Sequence, residues 1–245
     1  DDAPDVMEGE ALIRAVLKAP AELLWNGGVG TYVKSSSESH ADVSDSSNDE
    51  VRIDVPDLRC EVVGEGGNLG FTQRARIEYA LKGGRINTDA LDNSAGVDMS
   101  DHEVNLKILL APAITSGSIS VGNRNELLEE LTESVAELVL NDNRSQSLAI
   151  SLDQLRARES VDDFRSLMFA LEKAGELDRT SEHLPTADAL AERRESGHIL
   201  TRPELSVLLA YSKLSLMSSL LRSGLPDDPV TESYLLEYFP VSAIA

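Results

Sequence analysis

The stretch EVVGEGGNLGFTQ, residues 61–73, decides how this chain is expected to fold. Its apolar pair, Val62 and Val63, leads into a turn with four glycines and one asparagine, Asn68, and a helical pattern begins at Thr72. A strand that passes through a short turn into a helix is typical of α/β structure with parallel strands. Because glycine has no Cβ, such a turn lets a neighbouring backbone or a ligand come close to the end of the strand.

The segments around this turn continue the same order. A helical pattern over residues 10–18 precedes an expected strand at 22–25, and a strand at 59–63 precedes a helix at 72–82 and a further short strand at 85–91. Three loops rich in Gly, Asn and Ser follow the strands, at residues 26–31, 64–70 and 92–100. Ligands of open α/β sheets bind beyond the carboxyl ends of the strands, so the loops are candidates for a binding site. Alternatively, their glycines only make tight turns.

The candidate loops carry no complete motif for a known chemistry. The glycines of residues 64–70 do not have the Gly-x-Gly-x-x-Gly spacing of a dinucleotide-binding turn. Ser100 and Glu103 fit a capping box at a helix start, which would also favour an anion. His102 is then expected on the surface of the first helical turn. No Cys pair or His pair has metal-ligand spacing, so we expect no metal site.

Helical patterns dominate after residue 115. Ser151 with Gln154, and Thr201 with Glu204, again fit capping boxes and predict two helix starts. Before residue 115, residues 35–49 are rich in Ser and Asp and nearly free of large apolar side chains, so we expect a mobile surface insert there. The sequence therefore predicts an α/β part followed by an all-α part.

Charge and cysteine content narrow the classes of partner. The 245 residues carry 22 basic and 43 acidic side chains, for a net charge of −21. Such a chain repels nucleic-acid phosphates and anionic membranes, so we expect neither as a partner. The single cysteine, Cys60, cannot form an internal disulfide, which favours a cytoplasmic location. A start at Asp1 without a signal-peptide pattern indicates a piece of a longer chain.

Five segments together resemble one known family. LLWNGGVGTYVK (23–34), VVGEGGNLGFTQ (62–73), GGRINTDALDNSAGVDMSDHEVNLKILL (83–110), LTRPELSVLLAYSKL (200–214) and LPDDP (225–229) are similar to segments of the long-chain bacterial NAD-specific glutamate dehydrogenases. The resemblance extends over nearly the whole chain. It implies that residues 1–115 are the C-terminal part of a Rossmann-like NAD-binding domain and that residues 116–245 are a C-terminal helical domain.

The resemblance also implies which residues face the cofactor and the substrate. The family motif Glu-Gly-Ala-Asn reads Glu-Gly-Gly-Asn here, and Asn-Ala-Gly-Gly-Val, with a serine three residues on, reads Asn-Ser-Ala-Gly-Val. These differences, and a missing family proline after the first motif, indicate a different local loop path. Ser100 would contact the substrate's side-chain carboxylate. The residues implied at the nicotinamide side of NAD are Asn26, Gly66, Gly67, Asn68, Asn93 and Ser94.

The implied activity is oxidative deamination of L-glutamate to 2-oxoglutarate and ammonia, with hydride passing to NAD, as an oxidoreductase of amino-acid catabolism. The family's catalytic lysine and aspartate lie upstream, so this chain is expected to hold no catalytic residue and to be inactive alone. The implied partners are glutamate, 2-oxoglutarate, the remainder of a longer chain and further copies in a homo-oligomer.

Two other interpretations stay open at this point. In the first, the helical part is a non-catalytic interaction or oligomerisation module and the glycine loops are only turns. In the second, the protein is a related amino-acid dehydrogenase with another substrate. Ser100 separates the second alternative from a glutamate enzyme, because a site for apolar amino acids does not need that hydroxyl.

Overall fold

The structure is a computed structural model and describes residues 6–197 and 199–244. Within these ranges the strands are short and form two parallel pairs. β1 (Leu23–Asn26) pairs with β4 (Val62–Glu65), and β2 (Val33–Lys34) pairs with β3 (Ile53–Asp54). In the first pair Asn26 lies opposite Glu65, so the two strands end at the same level. The predicted parallel arrangement of strands is therefore confirmed, although the strand expected at residues 59–63 lies at Val62–Glu65.

Helices make up most of the described chain, as the sequence predicted for the part after residue 115. They are α1 (Gly9–Leu17), α2 (His40–Val43), α3 (Gln73–Leu81), α4 (Asp89–Asp92), α5 (Ser94–Thr115), α6 (Val121–Glu130), α7 (Thr132–Glu159), α8 (Val161–Lys173), α9 (Ala187–Ser196), α10 (Arg202–Arg222), α11 (Glu232–Glu237) and α12 (Val241–Ile244). Short 3₁₀ turns connect several of them.

The chain folds into two compact units. The first unit holds residues up to Asn93 together with Leu148–Lys213, and the second unit holds Ser94–Ser147 together with the residues from Leu214 onward. In the first unit, one apolar cluster surrounds the strands and a larger one lies among the helices, with Met168 and Leu205 fully buried. The second unit has a smaller cluster around Leu106 and Leu131. The implied domain boundary at residue 115 stays a prediction.

The helix after β4 forms as predicted. The Thr72 hydroxyl accepts a hydrogen bond from the Ala75 N–H and so caps α3. The Thr201 pattern is also confirmed, because the Glu204 carboxylate accepts from the Thr201 N–H at 2.8 Å at the start of α10. Arg193 donates two further hydrogen bonds to that buried carboxylate, which leaves α10 firmly fixed at its first turn.

Two predicted helix starts are wrong. Ser151 lies inside α7, and Ser100 lies inside α5, which begins six residues earlier at Ser94. The Ser100 hydroxyl donates to the Gly96 carbonyl at 3.0 Å instead of capping a helix. A serine can bond the carbonyl one turn back within a helix, so a capping pattern does not by itself stop the helix that precedes it.

The expected strand at residues 85–91 is also wrong. The backbone of Arg85 forms a single parallel bridge with Val62, and α4 begins four residues later. The loop expected at residues 92–100 is mostly helix, since α5 starts at Ser94. Two aspartates of α4, Asp89 and Asp92, are engaged by other parts of the first unit, which favours a helical turn over a third strand.

The expected mobile insert at residues 35–49 is an ordered segment. Ser39 and Asp42 form a capping box at α2, and buried Arg52 donates to the Thr31 carbonyl at 2.8 Å and also contacts Asp49. The polar side chains of this segment therefore bond to each other and to the rest of the first unit. The low number of apolar residues in the segment does not reveal these bonds.

Among the described helices, α10 has the length and composition of a membrane span. Its first half carries Leu205 and Leu208, which are buried in the helical cluster of the first unit. A buried core helix passes the same length and composition test, so this indication of a membrane span is weak.

Candidate functional site

The first two candidate loops meet beyond the carboxyl ends of β1 and β4. The Gly67 N–H donates to the Asn26 carbonyl at 2.9 Å, and the Gly30 N–H donates to the Asn68 carbonyl at 3.4 Å. Tyr32 then donates its N–H to the Gly70 carbonyl at 2.9 Å. These main-chain bonds hold the two loops against each other, as expected for turns that follow adjacent parallel strands.

Close packing accounts for Gly64, Gly66 and Gly67. A Cβ on Gly67 would overlap the backbone of Gly28, and a Cβ on Gly64 or Gly66 would overlap the indole of Trp25. Trp25 therefore lies across the backbone of β4 and of the turn that follows it. The tight-turn interpretation explains these glycines without a ligand, and the case for a site depends on the polar side chains.

A buried ion pair between Glu65 and Arg76 holds the turn after β4 in place. Glu65 is fully buried and accepts from Arg76 of α3 at 2.7 Å and 2.9 Å, and from the Phe71 N–H at 3.0 Å. Burial lowers the pKa of Arg76, but its bonds to Glu65 and to Asp89 outweigh that effect and raise the pKa above its ordinary value. Burial raises the pKa of Glu65, and Arg76 opposes the rise. The pair anchors both ends of the turn to α3.

The segment that carries Asn93 is fixed by a second set of polar contacts. Asp92 accepts from the Glu65 N–H at 3.0 Å and from the Asn87 side chain at 2.8 Å. Burial raises the pKa of Asp92 above its ordinary value, although these two hydrogen bonds act to lower it. Asn87 in turn accepts from Arg202 of α10 at 2.8 Å, and Asp89 accepts from the Leu69 N–H at 2.8 Å. The third segment is thereby tied to the end of β4 and to α10.

Asn68 and Asn93 form a side-chain amide pair at the surface of the first unit. The Asn93 Nδ2 donates to the Asn68 Oδ1. The pair leaves the Asn68 Nδ2 donor and the Asn93 Oδ1 acceptor unengaged by the part of the chain that the structure describes. If both amides are turned over, one donor and one acceptor still remain. This arrangement is complementary to a primary carboxamide, which also offers one donor and one acceptor.

Asn26 adds a third amide at the end of β1. Its Oδ1 accepts from the Gly28 N–H at 3.3 Å, whereas its buried Nδ2 has no hydrogen-bond partner among the described residues. A buried donor without a partner is costly in a folded protein and is often found at a binding site. Five of the predicted cofactor residues are therefore gathered here: Asn26, Gly66, Gly67, Asn68 and Asn93.

The other two predicted contact residues, Ser94 and Ser100, belong to the second unit. Ser94 donates to the Asn143 side chain at 3.0 Å and accepts from Gln146 at 3.4 Å, so it joins α5 to α7. The Ser100 side chain is exposed. Its hydroxyl donates to the Gly96 carbonyl, and its oxygen can still accept a hydrogen bond from another group.

The sequence did not point to the residues that hold this site in place. Arg76, Asp89 and Asp92 lie on two separate helices, and no spacing in the sequence predicts that they meet at the turn after β4. One signal was available, because a charged residue at the end of a buried strand needs a partner of opposite charge. His102 was also misjudged, since it is 2% exposed and not on the surface.

Several known proteins are similar to this chain. Residues 2–153 match the family model of the bacterial NAD-glutamate dehydrogenase catalytic domain, and residues 197–243 match the glutamate dehydrogenase C-terminal model. A protein named NAD-specific glutamate dehydrogenase from Pseudomonas aeruginosa is 52% identical over 98% of this chain. Proteins of the same name from Halomonas elongata and Mycobacterium tuberculosis are 48% and 47% identical over 96% and 94% of the chain.

The chain spans only a small part of these relatives, at 15%, 15% and 14% of their lengths. The catalytic-domain model nevertheless covers more than half of the chain. The chain therefore belongs to the bacterial NAD-glutamate dehydrogenase family.

Proposed function

We propose that this chain is part of an enzyme that oxidatively deaminates L-glutamate to 2-oxoglutarate and ammonia with NAD as the hydride acceptor. The observation that carries the proposal is the gathering of Asn26, Asn68 and Asn93 beyond the ends of two parallel strands. The names of the relatives, which all specify NAD and glutamate dehydrogenase, support both the reaction and the cofactor.

The amide pair is the part of the site that fits NAD. In this proposal, the free donor of Asn68 and the free acceptor of Asn93 hold the nicotinamide carboxamide, and Asn26 supplies a further donor from the end of β1. Gly66 and Gly67 let the turn pack closely against Trp25 and Gly28, which positions Asn68 beside the ring. Ser94 stays a contact implied by the family resemblance. Bound NAD supplies the acceptor for the hydride that glutamate loses. A Rossmann-like arrangement of residues 1–115 is part of the proposal.

Ser100 is the proposed contact to the substrate's side-chain carboxylate. Its hydroxyl lies on the surface of α5, in the second unit, and would donate to the carboxylate by releasing the Gly96 carbonyl. A hydroxyl donor to a carboxylate forms a charge-assisted bond, which is stronger than the main-chain bond that it replaces. This preference favours glutamate over an apolar amino acid.

Other parts of a longer chain complete the site in this proposal. The catalytic lysine and aspartate come from upstream, and residues 116–245 form a helical domain. The second unit exposes large apolar side chains along its helices, including Ile108, Leu216 and Leu221, which the remainder of the longer chain or another copy in a homo-oligomer would cover. The same exposed side chains favour the alternative of a helical interaction module. A cytoplasmic location fits the single free cysteine.

Steady-state kinetics of the full-length protein test this proposal with two variants. Asn93→Ala should raise the KM for NAD by about fivefold and leave the KM for glutamate unchanged, because one hydrogen bond is worth about 1 kcal/mol. Ser100→Ala should lower kcat/KM for glutamate by about tenfold or more and leave the KM for NAD unchanged. Glutamate-dependent NADH formation and the melting temperature are measured on the same preparations.

The matched controls are Asn125→Ala and Ser116→Ala. Both side chains are exposed, and the Ser116 hydroxyl also bonds a main-chain carbonyl, that of Ala113, at 3.1 Å. Both controls should leave the kinetics at the wild-type values. If Ser100→Ala lowers only the melting temperature, Ser100 is a structural residue. If the wild-type protein forms no NADH with glutamate, the substrate assignment is wrong.

A further inference from the structure

A buried histidine in the second unit has neither ring nitrogen engaged by the described residues. His102 lies on the inner face of α5 at 2% exposure, and Nδ1 and Nε2 both lack a hydrogen-bond partner there. Buried polar atoms are nearly always paired, so an unpaired imidazole in a core is unusual. Neither the family resemblance nor the proposed reaction uses this side chain.

Packing against one face of the imidazole ring fixes its orientation. It stacks on Tyr238, with ring centroids 4.3 Å apart and planes 11° from parallel. The Tyr238 hydroxyl accepts from the Asn105 side chain at 2.9 Å, and Phe239 packs edge-on against the Tyr238 ring. The stacked ring cannot turn freely, so the direction of its nitrogen edge is set by the packing.

Two carboxylates lie at that nitrogen edge. Asp98 is one helical turn before His102, and its Oδ1 is 3.8 Å from His102 Nε2. Asp142 approaches from α7, and the donor atoms of all three residues lie within 4.8 Å of one another. The hydrogen bond between Ser94 and Asn143 joins the same two helices next to Asp142. The buried histidine and two carboxylates from two helices therefore converge on one point.

We propose that Asp98, His102 and Asp142 bind a divalent transition-metal cation of the zinc class. Zinc bonds of about 2.0–2.1 Å in a tetrahedron require donor atoms roughly 3.4 Å apart. The three donors, which lie within 4.8 Å of one another, would therefore move together by up to about 1.4 Å on binding the cation. One imidazole favours zinc over magnesium or calcium, which prefer sites made only of oxygen. The exposed side at Asp142 leaves room for water or a further ligand. A cation here would link α5, which carries Ser100, to α7.

Zinc titration of the 245-residue chain by calorimetry, after removal of metals with a chelator, tests the proposal. The wild type should bind one Zn²⁺ per chain, and excess Mg²⁺ should not compete. Asp142→Asn, at an exposed position, should weaken binding by more than about tenfold, because even residues that only orient a ligand contribute that much. Asp101→Asn makes the same charge change at an exposed neighbour outside the cluster, and it should bind Zn²⁺ as the wild type does.

His102→Phe separates a ligand from a packing residue. Phenylalanine keeps the aromatic stack on Tyr238 and removes both ring nitrogens. The wild type should gain melting temperature when Zn²⁺ is added, and His102→Phe should lose that gain while remaining folded without metal. The proposal is wrong if the wild type binds no Zn²⁺, or if Asp142→Asn and Asp101→Asn bind it equally well. If His102→Phe does not fold, the comparison of the two aspartate variants still decides.

Discussion

Gly67 shows, at the scale of one residue, how the two loops of the candidate site are held together. Its Cα faces the backbone of Gly28 so closely that a Cβ would overlap the Gly28 carbonyl. A backbone neighbour cannot move aside as a flexible side chain can. The contact brings the loop after β1 and the loop after β4 into register, and with them Asn26 and Asn68.

Replacing Gly67 by alanine should therefore destabilise the first unit. The free energy of unfolding should fall by about 1–3 kcal/mol, the usual cost of forcing an extra carbon into a packed region. Urea denaturation of the 245-residue chain measures this loss. Gly28→Ala is the matched control, since a Cβ there meets nothing within 4 Å. Equal stability of the two variants would mean that the loops relax apart at little cost.

The sequence predicted the residues that meet at this site and not the contacts that hold them. Asn68 and Asn93 were identified from motifs, because a motif preserves residue types at fixed spacing. The Glu65–Arg76 pair joins positions on a strand and a helix, whose contact depends on how the two elements pack. Residue spacing within one segment contains no information about that packing.

At the scale of elements, Glu78 of α3 holds the start of the segment of residues 35–49. Glu78 accepts from the Ser35 hydroxyl at 2.7 Å and from the N–H and hydroxyl of Ser36 at 2.8 Å and 2.9 Å. Burial acts to raise the pKa of Glu78, but the bonds from Lys82, Ser35 and Ser36 outweigh it and lower the pKa to about 2.

Glu78→Gln should loosen this segment and change the pH dependence of stability. The carboxylate pKa is lower in the folded state than its ordinary 4.5, so its contribution is present above pH 4.5 and is lost as the pH falls toward 2. The difference in unfolding free energy between wild type and variant should shrink over that range. Limited proteolysis at neutral pH should cut residues 35–49 faster in the variant.

Asp162→Asn is the matched control for this experiment. Asp162 also forms a helical ion pair, with Arg165 at 2.8 Å, but both side chains are mostly exposed. Exposed pairs contribute little, so proteolysis and pH dependence should stay as in the wild type. A variant Glu78→Gln that is cut no faster than the control would show that Arg52 and the α2 capping box suffice to hold the segment.

Helix boundaries were the elements that the sequence predicted least well. The starts at Thr72 and Thr201 were correct because each side chain or its partner is used as a cap. The starts at Ser100 and Ser151 were wrong because longer helices run through both positions. A local pattern cannot weigh the packing of a whole helix, which contributes more stability than one cap.

At the scale of the whole molecule, the chain is a small part of the proteins it resembles. It covers 15% of the relative from Pseudomonas aeruginosa. In the proposed enzyme, the groups that bind NAD and those that transfer protons come from different parts of one long chain. Binding of the cofactor and catalysis should therefore be separable.

The purified 245-residue chain should bind NADH and show no glutamate-dependent NADH formation. The full-length protein should show both. Binding is followed by fluorescence and turnover by absorbance, with Asn93→Ala in the short chain as the comparison that should bind NADH about fivefold more weakly. Turnover by the short chain would contradict the assignment of the catalytic residues to another region. Failure to bind NADH would show that this region needs the rest of the domain.

Trp25 gives this experiment an internal optical signal. It is the only tryptophan of the chain, and its indole lies across Gly64 and Gly66 at the edge of the proposed nicotinamide site. Its emission overlaps the absorption band of reduced nicotinamide, so bound NADH would quench it by energy transfer and emit in its place. The emission of Trp25, which packs over these glycines, would then measure the binding of NADH beside it without an attached dye.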